Sequence, residues 1–466
     1  MRALSSLVAV LCLFCAIPSA AAAATPPIRH VWIVVLENKD YEDTFGPDTE
    51  APFLAHELTK SGQLLQNYFG TSHASLGNYI TMVSGMAPNA DTQGDCMAGF
   101  KDIFPGVVAP DGQVIGQGCV YPAAVKTIAN QLEEKGLSWR GYMEDMGNTP
   151  GAPRTCRHPK IGDSDDTQAA RPTDQYATRH NPFMYFHSVI DNQAGCDANV
   201  VPLDQLLTDV KRPETTPNYA FITPDLCNDG HDAECADGGP GGLQAADAFL
   251  QRWVPTILGS PGFSDSGLLI VTWDEANIDP DSSTACCGQP TGPNTPAPGI
   301  LGPGGGRTGT VLISPFIQPG STNETEYNHY GLLRSVEDLF GLGHLGYAGR
   351  DGLKPFGDDV FNAKKAAPPP TPGTVCHAAR SGKAVAGVRL RGRLLTFRGR
   401  RKARIRITVH FRKGRHGKVL KRPNRVAACR TYRVKVPKGT RRVSVSGAGR
   451  TQRAHLKPSG EHYPES

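Results

Sequence analysis

Three apolar runs in this chain each end on a carboxylate: residues 30–37 (HVWIVVLE), 218–225 (NYAFITPD) and 267–274 (GLLIVTWD), the last followed at once by Glu275. Continuous β-branched and aromatic runs of this length predict strands buried on both faces, as in a parallel sheet. Further strands are expected at 63–69, 138–143 and 309–316. Between them the apolar spacing turns helical, over 51–63, 120–136, 202–210, 243–258 and 330–341. In the last stretch Leu332, Leu333, Val336, Leu339 and Phe340 recur at helical spacing, with Arg334, Glu337 and Asp338 mostly on the other side. Strand–helix alternation predicts an α/β fold, a three-layer α/β/α sandwich. Gly/Pro/Asp-rich insertions at 87–117, 148–181 and 278–307 are expected to decorate the ligand edge, because insertions this long are usually functional.

The pattern changes after residue 365. Residues 366–374 (AAPPPTPGT) read as a stiff Pro-rich linker. Beyond it, 388–396, 403–411, 429–436 and 441–445 alternate apolar and basic residues, which predicts a small β-sandwich with one wet, cationic face. Charge divides at the same place. From Val375 onward 27 Lys and Arg stand against two acids, a balance of +25; the preceding chain has 22 against 42, a balance of −20. The overall +5 therefore conceals two domains with different jobs.

Residues 1–24 combine Arg2, an apolar stretch and a small-residue region, the pattern of a secretory signal peptide. The expected organisation is a signal at 1–24, a catalytic domain at 25–365, the linker at 366–374 and a basic β-rich domain at 375–466. No later stretch approaches the length of a membrane span. A secreted or cell-surface location follows, and the ten cysteines outside the signal favour disulfides there. Proximity suggests Cys96–Cys119, Cys156–Cys196, Cys227–Cys235 and Cys376–Cys429. That leaves the adjacent Cys286 and Cys287, whose direct bridge would be strained, so another pairing stays open. A zinc cluster is a weak rival, since the only C-x-x-C, Cys12–Cys15, lies in the signal.

In open α/β sheets ligands bind beyond the carboxyl ends of the strands, where the terminal acids would converge. Carboxylates gathered there repel, and a divalent metal is the simplest compensation. Glu37 with Asn38 offers a carboxylate and a neighbouring carbonyl; an Asx-type turn is the plainer alternative. Asp274 with Glu275 is the stronger pair, and Asp225 ends the remaining run. Residues 71–85 read TSHASLGNYITMVSG, which sets Ser75 at a helix N-terminus, where free N–H groups and the dipole favour an alkoxide or a phosphate. A simple capping role for Ser75 stays open, with Thr71 and Ser72 as competing hydroxyls. His231 in DLCNDGHD and His329 in YNHYG could ligate a metal or protonate a leaving group, as could His73; a structural role is open for each. Oxygen ligands lean towards Ca²⁺, Mg²⁺ or Mn²⁺, while use of both histidines would favour Zn²⁺ or iron.

The segments HVWIVVLENKDYEDTFG, TSHASLGNYITMVSG, NYAFITPDLCNDGHD, LLIVTWDE and YNHYGLLRSVEDLFGL, in this order, resemble the bacterial phosphoesterase family of secreted acid phosphatases and phospholipases C, within the alkaline phosphatase superfamily. The resemblance runs from about residue 30 to 343 and leaves out the basic tail. It implies Ser75 as nucleophile, with a phosphoserine intermediate, and Asn78 as a donor to a phosphate oxygen. It implies Glu37, Asn38, Ser75, Asp274 and Glu275 around a divalent metal ion. Asp225, His231 and His329 fall where relatives place further ligands or acid/base groups. Ala74 and Gly77 stand where prolines are common in the family, a departure that removes no reactive group.

The implied substrate is a phosphate ester, on the acid phosphatase pattern. The alternatives are a phospholipase C acting on phospholipid diesters and a non-catalytic protein that holds phosphate-bearing polymers. A sulfatase is disfavoured because its C-x-P-x-R segment is missing, residues 156–160 reading CRHPK; a serine esterase lacks its G-x-S-x-G, residues 262–266 reading GFSDS. The basic tail is expected to meet an anionic cell-surface polymer or lipid. Its few aromatics (Phe397, Phe411, Tyr432) argue against specific nucleic-acid readout.

Overall fold

The computed structural model describes residues 26–363 and, after them, 385–391, 393–399, 403–411, 418–420, 425–426, 431–438, 440–447 and 450–455. The signal, the linker and the expected Cys376–Cys429 pair lie outside the described residues. The chain divides into two compact units, Met1–Pro372 and Gly373–Ser466.

The first unit is built on an eight-stranded sheet. From edge to edge its strands are Ser321–Asn323, Gln63–Leu65, Thr310–Ile313, Gly267–Trp273, His30–Leu36, Tyr219–Thr223, Trp139–Met143 and Val200–Pro202. The three acid-terminated runs are neighbours at its centre, parallel and in register: Leu36 pairs with Trp273, and Val34 with Ile222. Every residue of His30–Leu36 and of Gly267–Trp273 is buried. Alternate residues serve opposite faces, as strand geometry requires. Val31, Ile33 and Val35 join one apolar core with Leu76, Tyr79, Ile80 and Leu332, while Trp32, Val34 and Leu36 join a second with Phe249, Trp253 and Ile257. Two cores, one on each face, make the three layers.

Two expectations need correction. Thr310–Ile313 runs antiparallel to both its neighbours, so the sheet is mixed. The stretch 63–69 is two short strands, not one: Gln63–Leu65 enters the main sheet and Tyr68–Phe69 pairs with Tyr327–Asn328. The helices Gly242–Leu258 and His329–Phe340 form as the spacing predicts, whereas 120–136 yields only Ile128–Glu134, and 51–63 forms a π-helix over Phe53–Leu58 with one short turn after it. Disulfides join Cys96–Cys119, Cys156–Cys196, Cys227–Cys235 and Cys286–Cys287. The first three are the expected pairs, and the adjacent cysteines bond to each other. Closing loops with sequence separations of 23 and 40 restricts the unfolded chain, by about 3–4 kcal/mol each on the chain-entropy account.

The second unit contains two antiparallel sheets, one of Val385–Arg391, Leu394–Gly399 and Thr431–Lys435, the other centred on Ala403–His410 and Arg442–Gly447. The expected single strand at 388–396 is instead two antiparallel strands, Val385–Arg391 and Leu394–Gly399. Leu390, Leu395 and Phe397 from one sheet meet Ile405, Ile407, Val409, Val443 and Val445 from the other in a shared core. Between those inward residues Arg404 and Arg406 are exposed, the cationic face that the alternation implies.

Candidate active site

Because Leu36 and Trp273 are register partners, the next residues, Glu37 and Asp274, leave the sheet side by side. Backbone bonds tie these exits together: Asp274 N–H to Leu36 O at 2.8 Å, Glu37 N–H to Asp229 O at 2.9 Å and Lys39 N–H to Glu275 O at 3.1 Å. Asn38 takes a left-handed conformation, φ 52°, which Asn tolerates better than most side chains. That turn lets its own N–H donate to Asp274 Oδ1 and its Nδ2 donate to Glu275 Oε1, both at 3.0 Å.

The helix Ser75–Ser84 brings the hydroxyl. Ser75 is its first residue, Ala74 being the N-cap, so the pure capping role does not apply. Its Oγ donates instead to Glu37 Oε2 at 2.7 Å. The preceding loop is folded back by Asn78, whose Oδ1 accepts from the N–H groups of Thr71 and Ser72 at 2.8 Å and whose Nδ2 donates to Ser72 O at 3.0 Å and Glu275 Oε2 at 2.9 Å. Both amide hydrogens thus have partners inside the protein, a different use from the phosphate donor that the resemblance implied. Two glycines permit the close approach: a Cβ on Gly77 would lie 2.5 Å from Ser72 Oγ, and one on Gly70 2.7 Å from Asp274 O. Tyr79, one turn after Ser75, donates to the other oxygen of Glu37, Oε1, at 2.5 Å.

Around this core the polar groups are buried and incompletely partnered. Glu37, Asp229, Asp274 and Glu275 are each no more than 1% exposed. Asn38 Oδ1, Asp274 Oδ2 and Asp229 Oδ2 accept no hydrogen bond. Burial, with repulsion from Glu37, pushes the carboxyls of Asp274, Glu275 and Asp229 well above the usual range. A cation is the group that removes such a penalty, and Asn38, Asp274, Glu275 and Glu37 offer the hard oxygen donors that Ca²⁺, Mg²⁺ or Mn²⁺ prefer. The donors present therefore fit a divalent ion. They are not drawn into a tight cage: among the described residues, the one trio of acidic, His or Cys side chains with ligand atoms all within 4.8 Å of one another is Cys227, Cys235 and Asp237, whose sulfurs are spent in a disulfide.

The expected histidines separate. His329 is fully buried, with Nε2 2.5 Å from Asp274 O and Nδ1 2.9 Å from the Tyr68 hydroxyl, and burial lowers its pKa to about 4. Both nitrogens are engaged, so it holds the Asp274 backbone and is not turned outward as a ligand or proton donor. His231 is half-exposed, and its N–H donates to Asp229 Oδ1. Its ring bonds Asp232 at 2.8 Å, which raises its pKa. It lines, with Lys39, Glu42 and Asp43, a cavity of about 430 Å³. His73 Nδ1 lies 3.0 Å from Glu275 Oε2.

Asp225 goes elsewhere. Its Oδ1 accepts from Cys227 N–H and Asn228 N–H, an Asx-type turn, and with Glu144, Arg252 and Trp253 it lines a separate cavity of about 410 Å³. The acid that reaches the Ser75 cluster from this loop is Asp229. His180 is the other residue the sequence reading missed: it stacks on Tyr79 (ring centroids 5.2 Å apart, 8° between planes), with Nε2 3.5 Å from Glu37 Oε1 and Nδ1 3.6 Å from Asp229 Oδ2. It lies in an insertion with no apolar period, and its one signal was being a histidine in a long, candidate-functional loop. Asp229 was legible only as a second acid in DLCNDGHD.

A hydroxyl at a helix N-terminus, hydrogen-bonded to a buried carboxylate on the carboxyl edge of an α/β sheet, defines a hydrolase-like centre of the phosphoryl-transfer kind. The chain belongs to the Phosphoesterase family, whose sequence profile matches residues 47–343. It is 28% identical over 318 residues to a probable acid phosphatase of Kluyveromyces lactis, covering 68% of this chain and 59% of that protein. It is 26% identical over 317 residues to a phosphate-repressible acid phosphatase of Penicillium chrysogenum, again 68% and 59%. A phosphatidylinositol-3-phosphatase of Mycobacterium tuberculosis is 25% identical over 328 residues, 70% of this chain and 82% of that one. The chain thus spans about three fifths of the length of the two acid phosphatases.

Proposed function

We propose that this chain is a secreted, metal-dependent phosphoesterase of the acid phosphatase type, acting on phosphate monoesters with Ser75 as nucleophile. The observation that carries the reading is the 2.7 Å bond from Ser75 Oγ to a buried Glu37 carboxylate. Oxygen atoms without partners lie on the adjoining Asn38 and Asp274. The names of the acid phosphatase relatives support the monoester.

Glu37 accepts the Ser75 proton as Oγ forms its bond to phosphorus and the ester P–O bond breaks. His231, whose charged form Asp232 stabilises, donates a proton to the leaving alkoxide. Water, giving a proton to the now neutral His231, then attacks phosphorus and breaks the P–Oγ bond, and Glu37 returns the serine proton to Oγ as phosphate is released. A divalent ion held by Glu37, Asn38, Asp274 and Glu275 would neutralise phosphoryl oxygens and favour the ionised hydroxyl. Asn78 and His329 work behind the site, one shaping the Thr71–Ala74 loop, the other fixing Asp274. Among the described residues no helix is long and apolar enough to cross a membrane. The exposed cations of the second unit would hold the enzyme on anionic cell-surface polymer or lipid.

The test is acid-quenched turnover of p-nitrophenyl phosphate followed by peptide mass analysis. A phosphate on Ser75, absent in Ser75→Ala, is expected. Undiminished turnover by Ser75→Ala would sink the reading and turn attention to Thr71 or Ser72. Faster turnover of bis-p-nitrophenyl phosphate than of the monoester would replace the phosphatase with a diesterase.

A further inference from the structure

We propose that Tyr79 is a positioning residue: its hydroxyl locks the Glu37 carboxylate in the plane that faces Ser75 and the metal donors. The inference rests on the functional reading above and adds a residue that acts through Glu37.

Ser75 and Tyr79 are four residues apart on one helix, so their side chains rise from the same face. Each takes one oxygen of the same carboxylate, Ser75 Oε2 at 2.7 Å and Tyr79 Oε1 at 2.5 Å. A carboxylate held by one donor can still rotate about its last bond; two donors on opposite oxygens fix its plane. The second donor is itself rigid. The Tyr79 ring is fully buried, stacked on His180 and met edge-on by Phe221 at 6.0 Å between centroids. His180 Nε2 stays 3.5 Å from Oε1, beyond a good hydrogen bond. The Tyr79 hydroxyl is therefore the strut for that oxygen, anchored in the packed core between helix and sheet.

Tyr79→Phe keeps the ring and removes the hydroxyl alone. The full chain, stripped by chelator, is titrated with Mn²⁺ by calorimetry as wild type, Tyr79→Phe, Glu37→Gln and the double variant. The same four proteins are compared in urea unfolding and, at saturating Mn²⁺, in kcat and KM for p-nitrophenyl phosphate. Tyr79→Phe is expected to weaken Mn²⁺ binding about 10- to 100-fold, the usual effect of losing a group that orients a ligand. It should lower kcat with little change in KM. In the Glu37→Gln background the same change should alter Mn²⁺ affinity less than about 2-fold, and the two unfolding effects should be non-additive, as for residues in contact. Wild-type Mn²⁺ affinity and kcat in Tyr79→Phe, or equal losses in both backgrounds, would overturn the proposal. A wild-type chain that takes up no Mn²⁺ would overturn the metal reading separately, and the unfolding comparison would still decide whether Tyr79 acts through Glu37.

Discussion

The two units solve the same electrostatic problem in opposite ways. Both gather like charges, acids on the strand exits of the first and cations on the strand faces of the second. In the first the charges are buried: Glu37, Asp229, Asp274 and Glu275 are shut away from water, and Asp229 and Asp274 each keep one oxygen that nothing bonds. In the second, Arg404, Arg406, Lys418, Arg425 and Lys435 are exposed, and apolar side chains such as Ile407, Val409 and Val443 form the core. Burial in low dielectric makes repulsion strong and local, whereas solvation weakens it and leaves a diffuse field. A bound cation would complete the buried acids that lack partners. Exposed cations need no completion, because water solvates them.

The largest effect that would break this contrast sits at Ser75. Ser75→Ala should reduce turnover by more than about 1,000-fold, as removal of a nucleophile does in other hydrolases, while thermal unfolding is little changed. Next comes the buried cluster itself. Asp274→Asn should lose divalent-ion affinity by at least about 100-fold, together with activity, since it deletes a donor and leaves its neighbours facing an incomplete site. Elemental analysis of the purified variant checks it, and full activity of the wild type after exhaustive chelation would remove the metal from the account.

A smaller effect separates buried from half-exposed groups. The bond to Asp232 raises the His231 pKa above 6.5. In the proposed mechanism the protonated form donates to the leaving group, so activity should fall as pH rises through that raised value. Asp232→Asn removes the supporting charge and should move the alkaline limb of the kcat profile to lower pH. An unmoved limb would take leaving-group protonation away from His231.

The second unit should matter least for chemistry. A chain ending at Pro372 is expected to keep wild-type kcat/KM on p-nitrophenyl phosphate and to lose retention on anionic vesicles. In the full chain that retention should vanish as salt rises, because exposed charges are screened beyond about 8–10 Å at ordinary ionic strength. Equal retention of both chains at low salt would make the tail a passive appendage. Replacing Arg404 or Arg406 by Gln should change stability by less than about 0.5 kcal/mol, the scale for exposed positions.

Much of this architecture was legible in order. Runs of buried residues announce strands, and an acid that follows one in sequence must leave the sheet where the strand ends; hence Glu37, Asp274 and Glu275 were identifiable without a structure. Ser75 was legible because small and hydroxylic residues precede a helical period. These inferences depend on covalent neighbours and local periodicity, which a single chain displays directly.

What depended on distant partners was not legible. The strand expected to end at Asp225 stops at Thr223, and the chain turns on Asp225 itself, so that Asp229 reaches the cluster instead. His329 and Asn78 carry the right chemical groups, but packing against Tyr68, Asp274, Ser72 and Glu275 turns them inward. His180 and Tyr79 acquire their places only when an insertion without periodicity folds its ring onto a helix a hundred residues earlier. Sequence by itself determined which residues stand at strand ends and helix starts, because backbone geometry is local; which of their atoms meet was decided by strand register and side-chain packing, which exist only in the assembled fold.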